Sequence, residues 1–404
     1  MKQFSLTTIP LLCAAIAPLC ADNMDNMISQ TNNGNGNNGS SMSNQNQMNQ
    51  KKKTESQRQF EQRWRDNQIT PMANPKPDEW INPYITADYI IWKAYEQGLA
   101  YAYDGVPDAP TAVNPASATS GSVFRPKFKW ESGFKVGLGN KFNHDGWDVY
   151  AEYTWLHSKA KDEPGTTDCC VTISEVAKSN YWLSTHACPE GVLMGAEGGT
   201  WNLDNFNVLD LELGRDFYVS KFLTLRPFAG MKFSWMHQKY KFKYEDILFV
   251  GDQGDTPSSL TTIPLGSNVK VDLKQREFGV GLRAGIDTNW YVCKWFGAYG
   301  DFALTGLWNR FHEKRQVEIN TPTPSEFVSE NMKDKVFDVT AVLEVGIGVF
   351  FEWAFSNDAY MVDLALGWET QVWFNQNNLI FLMNNNAPGN LSFQGFTLKV
   401  GFAF

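Results

Sequence analysis

The last fourteen residues, Leu391 to Phe404, constrain the fold more than any other part of the chain. Phe396, Leu398, Val400, Phe402 and Phe404 alternate with Thr397, Lys399, Gly401 and Ala403. A period of two is the period of a strand. A strand of an outer-membrane barrel shows an apolar face to lipid and a polar or small face to the lumen. The soluble alternative is the last strand of a β-sandwich. On the barrel reading, the five apolar residues are also the assembly signal presented to the barrel-assembly machinery.

The other end fits the same compartment. Lys2 followed by the apolar run Ile9–Leu19 and a small residue at Ala21 reads as a secretory signal peptide over 1–21. No later segment holds the roughly twenty apolar residues a helical span needs. A mean hydropathy of −0.36 with 14% aromatic residues suits a barrel, where only alternate residues meet lipid. A net charge of −9 argues against a nucleic-acid partner. Residues 22–79 begin with an Asn/Gln-rich stretch too poor in large apolar groups to fold, and read as a disordered periplasmic leader with a short helix near Phe60 and Trp64.

From residue 80 to 404 the alternation recurs. In 335–353, Asp338, Thr340, Glu344, Gly346, Gly348 and Glu352 share one face, and Val339, Leu343, Val345, Ile347, Phe351 and Trp353 the other. The same pattern occurs in 127–139, 147–157 and 359–375. The expectation is an all-β, transmembrane, antiparallel up-and-down barrel of about ten strands, within a range of eight to fourteen. They fall near 83–95, 126–140, 146–158, 203–217, 221–243, 269–288, 294–314, 334–354, 359–376 and 393–404. Short links alternate with long polar ones, which places both termini in the periplasm. Trp80, Tyr84, Trp92, Trp147, Trp155, Trp235, Trp290, Trp295, Trp308, Trp353, Trp368 and Trp373 fall near strand ends, as interfacial girdles would.

Three stretches carry a family resemblance. They are Ala87-Asp-Tyr-Ile-Ile-Trp-Lys-Ala-Tyr-Glu-Gln-Gly-Leu-Ala-Tyr101, Phe128 to Gly139 running on to His144-Asp-Gly-Trp-Asp-Val-Tyr-Ala-Glu-Tyr-Thr-Trp-Leu-His157, and Gly281-Leu-Arg-Ala-Gly-Ile-Asp-Thr-Asn-Trp290. Together they resemble the pore-forming major outer-membrane proteins of Legionella and chlamydia-related bacteria. The resemblance implies an integral barrel of the bacterial outer membrane, often called a porin, and supplies no catalytic residue.

The expected lumen carries Lys129, Glu131, Lys135, Asp148, Glu152, Asp210, Glu212, Arg226, Lys232, Glu277, Arg283, Asp301, Asp338, Glu344, Asp363, Glu369 and Lys399. Two readings follow: a charged pore passing small solutes or ions by passive diffusion, or a packed ladder of ion pairs filling a small barrel. Acids exceed bases, so a conducting lumen should prefer cations. The expected function is that pore in a major surface protein with a structural role in the envelope; a non-conducting structural or adhesive barrel is the alternative. A hydrolase at the outer leaflet is third, with His157, His237 and His312 near the outer strand ends but no serine spaced to pair with them. No metal or cofactor motif is present.

Cys169, Cys170 and Cys188 share one outer loop, and Cys293 falls in a periplasmic turn. A pairing of Cys188 with Cys169 or Cys170 leaves a thiol free to link two copies. The expected partners are therefore outer-membrane lipid, the assembly machinery, small solutes or ions, and a disulfide-linked second copy.

Overall fold

The computed structural model describes residues 81–104, 123–142, 146–162, 182–184, 192–220, 222–249, 267–293, 295–320, 327–355, 360–379 and 389–403. The expected signal peptide and leader (1–79), Trp80, Phe404, and Cys169, Cys170 and Cys188 lie outside them.

Ten antiparallel strands close into a barrel: β1 (Ile81–Glu96), β5 (Trp130–Phe142), β6 (Trp147–Asp162), β8 (Val192–Arg215), β10 (Leu223–Phe249), β11 (Ser267–Cys293), β12 (Phe296–Asn320), β13 (Phe327–Phe355), β14 (Tyr360–Asn377) and β15 (Gly389–Ala403). Each pairs with its neighbour in sequence, and β1 with β15 closes the ring. Each strand matches one expected segment. Short pieces decorate them: β2 (Ala102–Asp104), β3 (Val123–Phe124), β4 (Lys127–Phe128), β7 (Trp182–Ser184) and β9 (Phe217–Ser220). Ile81 and Ala403 define a near end of the barrel; the strands run from it to a far end.

Alternation sets the two surfaces in the near half. Ile85, Tyr89, Leu138, Leu282, Leu304, Ile347, Leu366 and Leu398 are exposed on the outer face, forming the lipid band. Inward residues between them are small, charged or aromatic. Gly137 and Gly139 show why glycine is used there. A Cβ on Gly137 would collide with Tyr150 Oη, and one on Gly139 with Tyr84 Cζ. The stacked Tyr84 and Tyr150 rings, 5.7 Å apart, occupy the space the glycines leave.

One part of the girdle expectation is corrected. Trp147, Trp235, Trp290, Trp308 and Trp353 are exposed outward, but Trp92 and Trp373 are fully buried inside the barrel and Tyr84 hydrogen-bonds the inward Asp148. Their parity is that of Asp88 and Glu369, which also face inward. β11 also continues through Trp290 and Tyr291 to Cys293, a free thiol, so the turn begins later than expected.

Five strands are far longer than a membrane requires. β8, β10, β11, β12 and β13 hold 24, 27, 27, 25 and 29 residues, where about 9–11 cross a bilayer. In them the alternation inverts. Along β10, Met231, Phe233 and Trp235 face out and Lys232 and Ser234 face in; higher up Lys239 and Lys241 face out and Tyr240, Phe242 and Tyr244 are buried. The strand leaves lipid where its outer face turns polar. Above that height the wall is a water-facing sheet around its own apolar core.

Leu398 lies in the lipid band of β15. Leu398→Arg should destabilise the folded barrel by about 2–4 kcal/mol if it sits near the bilayer centre. Leu398→Val should change stability far less. Heat-modifiable gel migration after refolding into lipid vesicles reads both; equal behaviour would put Leu398 away from lipid.

Candidate functional site

The near half of the lumen holds a connected charge network. Arg226 on β10 spans three strands: it donates to Asp148 from Nη2 at 2.8 Å and from Nε at 3.1 Å, to Glu212 at 3.0 Å and to Asp287 at 2.7 Å. Asp148 also accepts from the Tyr84 hydroxyl at 3.1 Å. Arg283 on β11 donates to Glu212 and, at 2.9 Å, to Glu344. Lys232 then joins Glu344 at 2.8 Å to Asp210 at 2.9 Å. A second group lies on the β5–β6 side, where Lys135 bonds Glu369 at 2.7 Å and stands 3.6 Å from Glu152. Lys135–Glu369 links strands three places apart in the ring, so side chains reach well across the interior.

Above these networks lies an apolar layer. Trp92, Phe393, Phe206 and Trp373 touch in series, with ring centroids 6.0, 4.6 and 5.6 Å apart. Phe206 stands on β8 and Trp373 on β14, five places away in a ring of ten. Rings from opposite walls are therefore in contact, and the layer crosses the whole lumen. Trp201, Leu203, Leu307, Val342 and Leu391 are fully buried in the same cluster.

Two chain segments fold in from the far end and complete the closure. Each starts at a residue in the left-handed region: Gly98 at φ 84° and Asn375 at φ 54°. Gly and Asn tolerate that geometry better than other residues. After Gly98, Leu99 and Tyr101 are buried, and their carbonyls accept from the hydroxyls of Tyr240 at 2.8 Å and Tyr244 at 2.6 Å on β10. After Asn375, the Gln376 carbonyl accepts from Gln275 Nε2 at 2.8 Å, the Asn378 amide donates to Gln275 Oε1 at 2.9 Å, and Leu379 is buried. The segments are tied together by Asn377 Nδ2 donating to the Gln97 carbonyl at 2.7 Å.

Lys135, Asp148, Glu152, Asp210, Glu212, Arg226, Lys232, Arg283, Glu344 and Glu369 thus meet in the near lumen. Asp301, Asp363 and Lys399 have the same inward parity and are half-buried there. Glu277 lies higher and accepts from Ser234 Oγ at 2.7 Å. Glu131 is half-buried near the rim. Lys129 and Asp338 are exposed and join neither network. The reason is loss of a neighbour: β13 pairs with β14 only up to Val342, and the β5–β6 ladder starts at Gly133.

Asp88, Lys141, Asp216 and Asp287 add to the expected lumen charges. Asp216 stands 3.7 Å from Lys141, and Asp88 is buried. Strict parity carried further along the strand, from Glu212 to Asp216 or from Arg283 to Asp287, finds two of them. The histidines lie elsewhere. His157 and His312 are exposed on the outer face, and His237 Nδ1 stands 3.7 Å from Asp204 on that face.

Residues 77–404 match a family described as Legionella pneumophila major outer membrane protein precursor. No curated protein matches the chain. Among solved structures, the outer membrane protease OmpT of Escherichia coli aligns with 10% identity over 84% of this chain and 99% of its own, at a TM-score of 0.36. A major outer membrane protein of Thermus thermophilus aligns with 11% identity over 81% and 100%, at 0.24. The toluene transporter TodX of P. putida aligns with 9% identity over 81% and 90%, at 0.26.

Proposed function

We propose, from the premise that the chain belongs to the Legionella major outer membrane protein family and is an integral barrel of the outer membrane, that it offers small cations a narrow path, closed in this conformation. The supporting observation is the sign of the near lumen. Asp88, Asp148, Glu152, Asp210, Glu212, Asp216, Asp287, Asp301, Glu344, Asp363 and Glu369 face Lys135, Lys141, Arg226, Lys232, Arg283 and Lys399. Carboxylates outnumber cations, although a packing network needs only balance. Asp88 Oδ1 is buried and has no hydrogen-bond partner. A wall of that sign draws in cations and repels anions.

The near end, marked by Ile81 and Ala403, faces the periplasm in this reading, and the long wall faces outward. Passage requires the apolar layer and the two inward segments to move. A second reading is favoured by that same layer: a non-conducting barrel whose role is structural. An enzyme is not part of either reading, because the three histidines sit on the outer face.

Planar bilayers separate the two. Openings of the parent barrel should be rare, with a reversal potential in a potassium chloride gradient near that for potassium. Chloride preference would overturn the cation path. Silence of both the parent and a variant with the apolar layer removed would leave the structural role.

A further inference from the structure

The lumen does not account for the outer face of the long wall. Lys239, Lys274, Lys314 and Lys333 stand directly opposite one another on four consecutive strands, β10 to β13. The row beneath is His237, Arg276, His312 and Lys335. The next row down is Trp235, Phe278, Arg310 and Phe337, where the lipid band begins and Arg310 lies 5.7 Å from the Phe337 ring centroid.

Like charges directly opposite on neighbouring strands destabilise a sheet. Here one row sets four lysines opposite one another across four strands, and in the row beneath it Arg276 and Lys335 alternate with histidines. Two carboxylates compensate on one side: Asp204 stands 2.5 Å from Lys239, and Asp272 lies 3.4 Å from Lys241 and 3.3 Å from Lys274. The Asp334 carboxylate accepts from the Lys335 amide at 2.7 Å. Among the described residues no carboxylate pairs with the side chains of Arg276, Lys314, Lys333 or Lys335. The His312 imidazole is held below its ordinary pKa by lost solvation and then by Arg310, Lys335 and Arg276.

Such rows call for an external anion, and their height says which. They stand immediately above the aromatic edge of the lipid band, where lipid headgroups lie. We propose that this face binds the phosphates of the outer-leaflet glycolipid, with its acyl chains against Trp235, Phe278 and Phe337. Lysine and arginine suit phosphate oxygens as point and forked donors. Contact with several phosphates makes the binding salt-dependent. The inference rests on the orientation proposed above.

The test uses the full chain refolded in neutral detergent, titrated with bisphosphorylated lipid A, with dephosphorylated lipid A and with phosphatidylglycerol vesicles. Bisphosphorylated lipid A should bind at least tenfold more tightly than the dephosphorylated form. The variant Lys274→Gln/Lys314→Gln/Lys333→Gln should lose at least tenfold in affinity and most of the salt dependence. Without lipid it should be no less stable than the parent, since repulsion is removed. Arg276→Gln/Lys335→Gln gives an independent pair with the same expected loss. In the parent, lipid A should raise the pKa of His312 followed by NMR.

Equal binding by parent and variants, or by both forms of lipid A, would overturn the proposal. Tighter binding to phosphatidylglycerol than to lipid A would overturn the leaflet. A Lys333→Cys thiol that reacts only in broken cells would trace that failure to the orientation, whereas one labelled on intact cells would leave the orientation standing.

Discussion

Barrels carrying Trp92→Ala and Trp373→Ala together should conduct steadily at potentials where the parent is nearly silent. The two indoles lie at opposite ends of the series Trp92–Phe393–Phe206–Trp373 that crosses the lumen. Each is fully buried. Removing them leaves Phe206 and Phe393 without their outer partners and opens a gap on either side of β15, on one wall of the lumen. Each truncation should destabilise the barrel by about 3–5 kcal/mol. The ladder of backbone bonds is untouched, so the closed ring should persist. Current through the variant should be carried by potassium in preference to chloride. If the folded double variant stays silent, the inward segments at Leu99–Tyr101 and Asn377–Leu379 close the barrel without help from the layer. Deleting Asn377–Leu379 as well should then bring current.

Arg226→Met should lose about 3–5 kcal/mol, because it strips a buried cation from carboxylates that stay behind. Asp148, Glu212 and Asp287 all bond to it, and Asp148 is almost wholly buried. Gly214 gives the guanidinium its place: a Cβ there would lie 2.6 Å from Arg226 Nε. Adding Asp148→Asn and Asp287→Asn to Arg226→Met should recover part of the loss, since the stranded charges are then gone. Urea unfolding of the refolded barrel, followed by tryptophan fluorescence, measures all of these. A loss below about 1 kcal/mol for Arg226→Met would mean that water, rather than the cation, solvates the near lumen.

The barrel and its ten strands were legible because each transmembrane strand must repeat one pattern: apolar toward lipid, polar or small toward the lumen. Phe396, Leu398 and Val400 against Thr397 and Lys399 show it at the last strand, and Val345 and Ile347 against Glu344 and Gly346 show it in β13. Parity alone also put Arg226, Arg283, Glu212 and Glu344 on one surface. It could not say which of them touch. Contact between Arg226 and Asp148, or between Lys135 and Glu369, depends on strand order and stagger around the ring.

The upper wall was harder to read, and the reason is physical. Lys239-Tyr-Lys-Phe-Lys-Tyr244 keeps the strand period, but its apolar residues have moved to the opposite face from those of Met231, Phe233 and Trp235. That inversion is written in the sequence and marks where the strand leaves lipid. What lay beyond any local pattern was the lumen's occupant. Trp92 and Trp373 are girdle residues by type, and strand parity turns them inward with Asp88 and Glu369, but only the closed ring brings Phe206 and Phe393 against them. By itself the sequence determined period and face and put the strands at about ten, because these depend on neighbours two residues apart. Closure of the lumen was decided only in three dimensions, because Phe206 and Trp373 meet across a diameter that only the closed ring brings together.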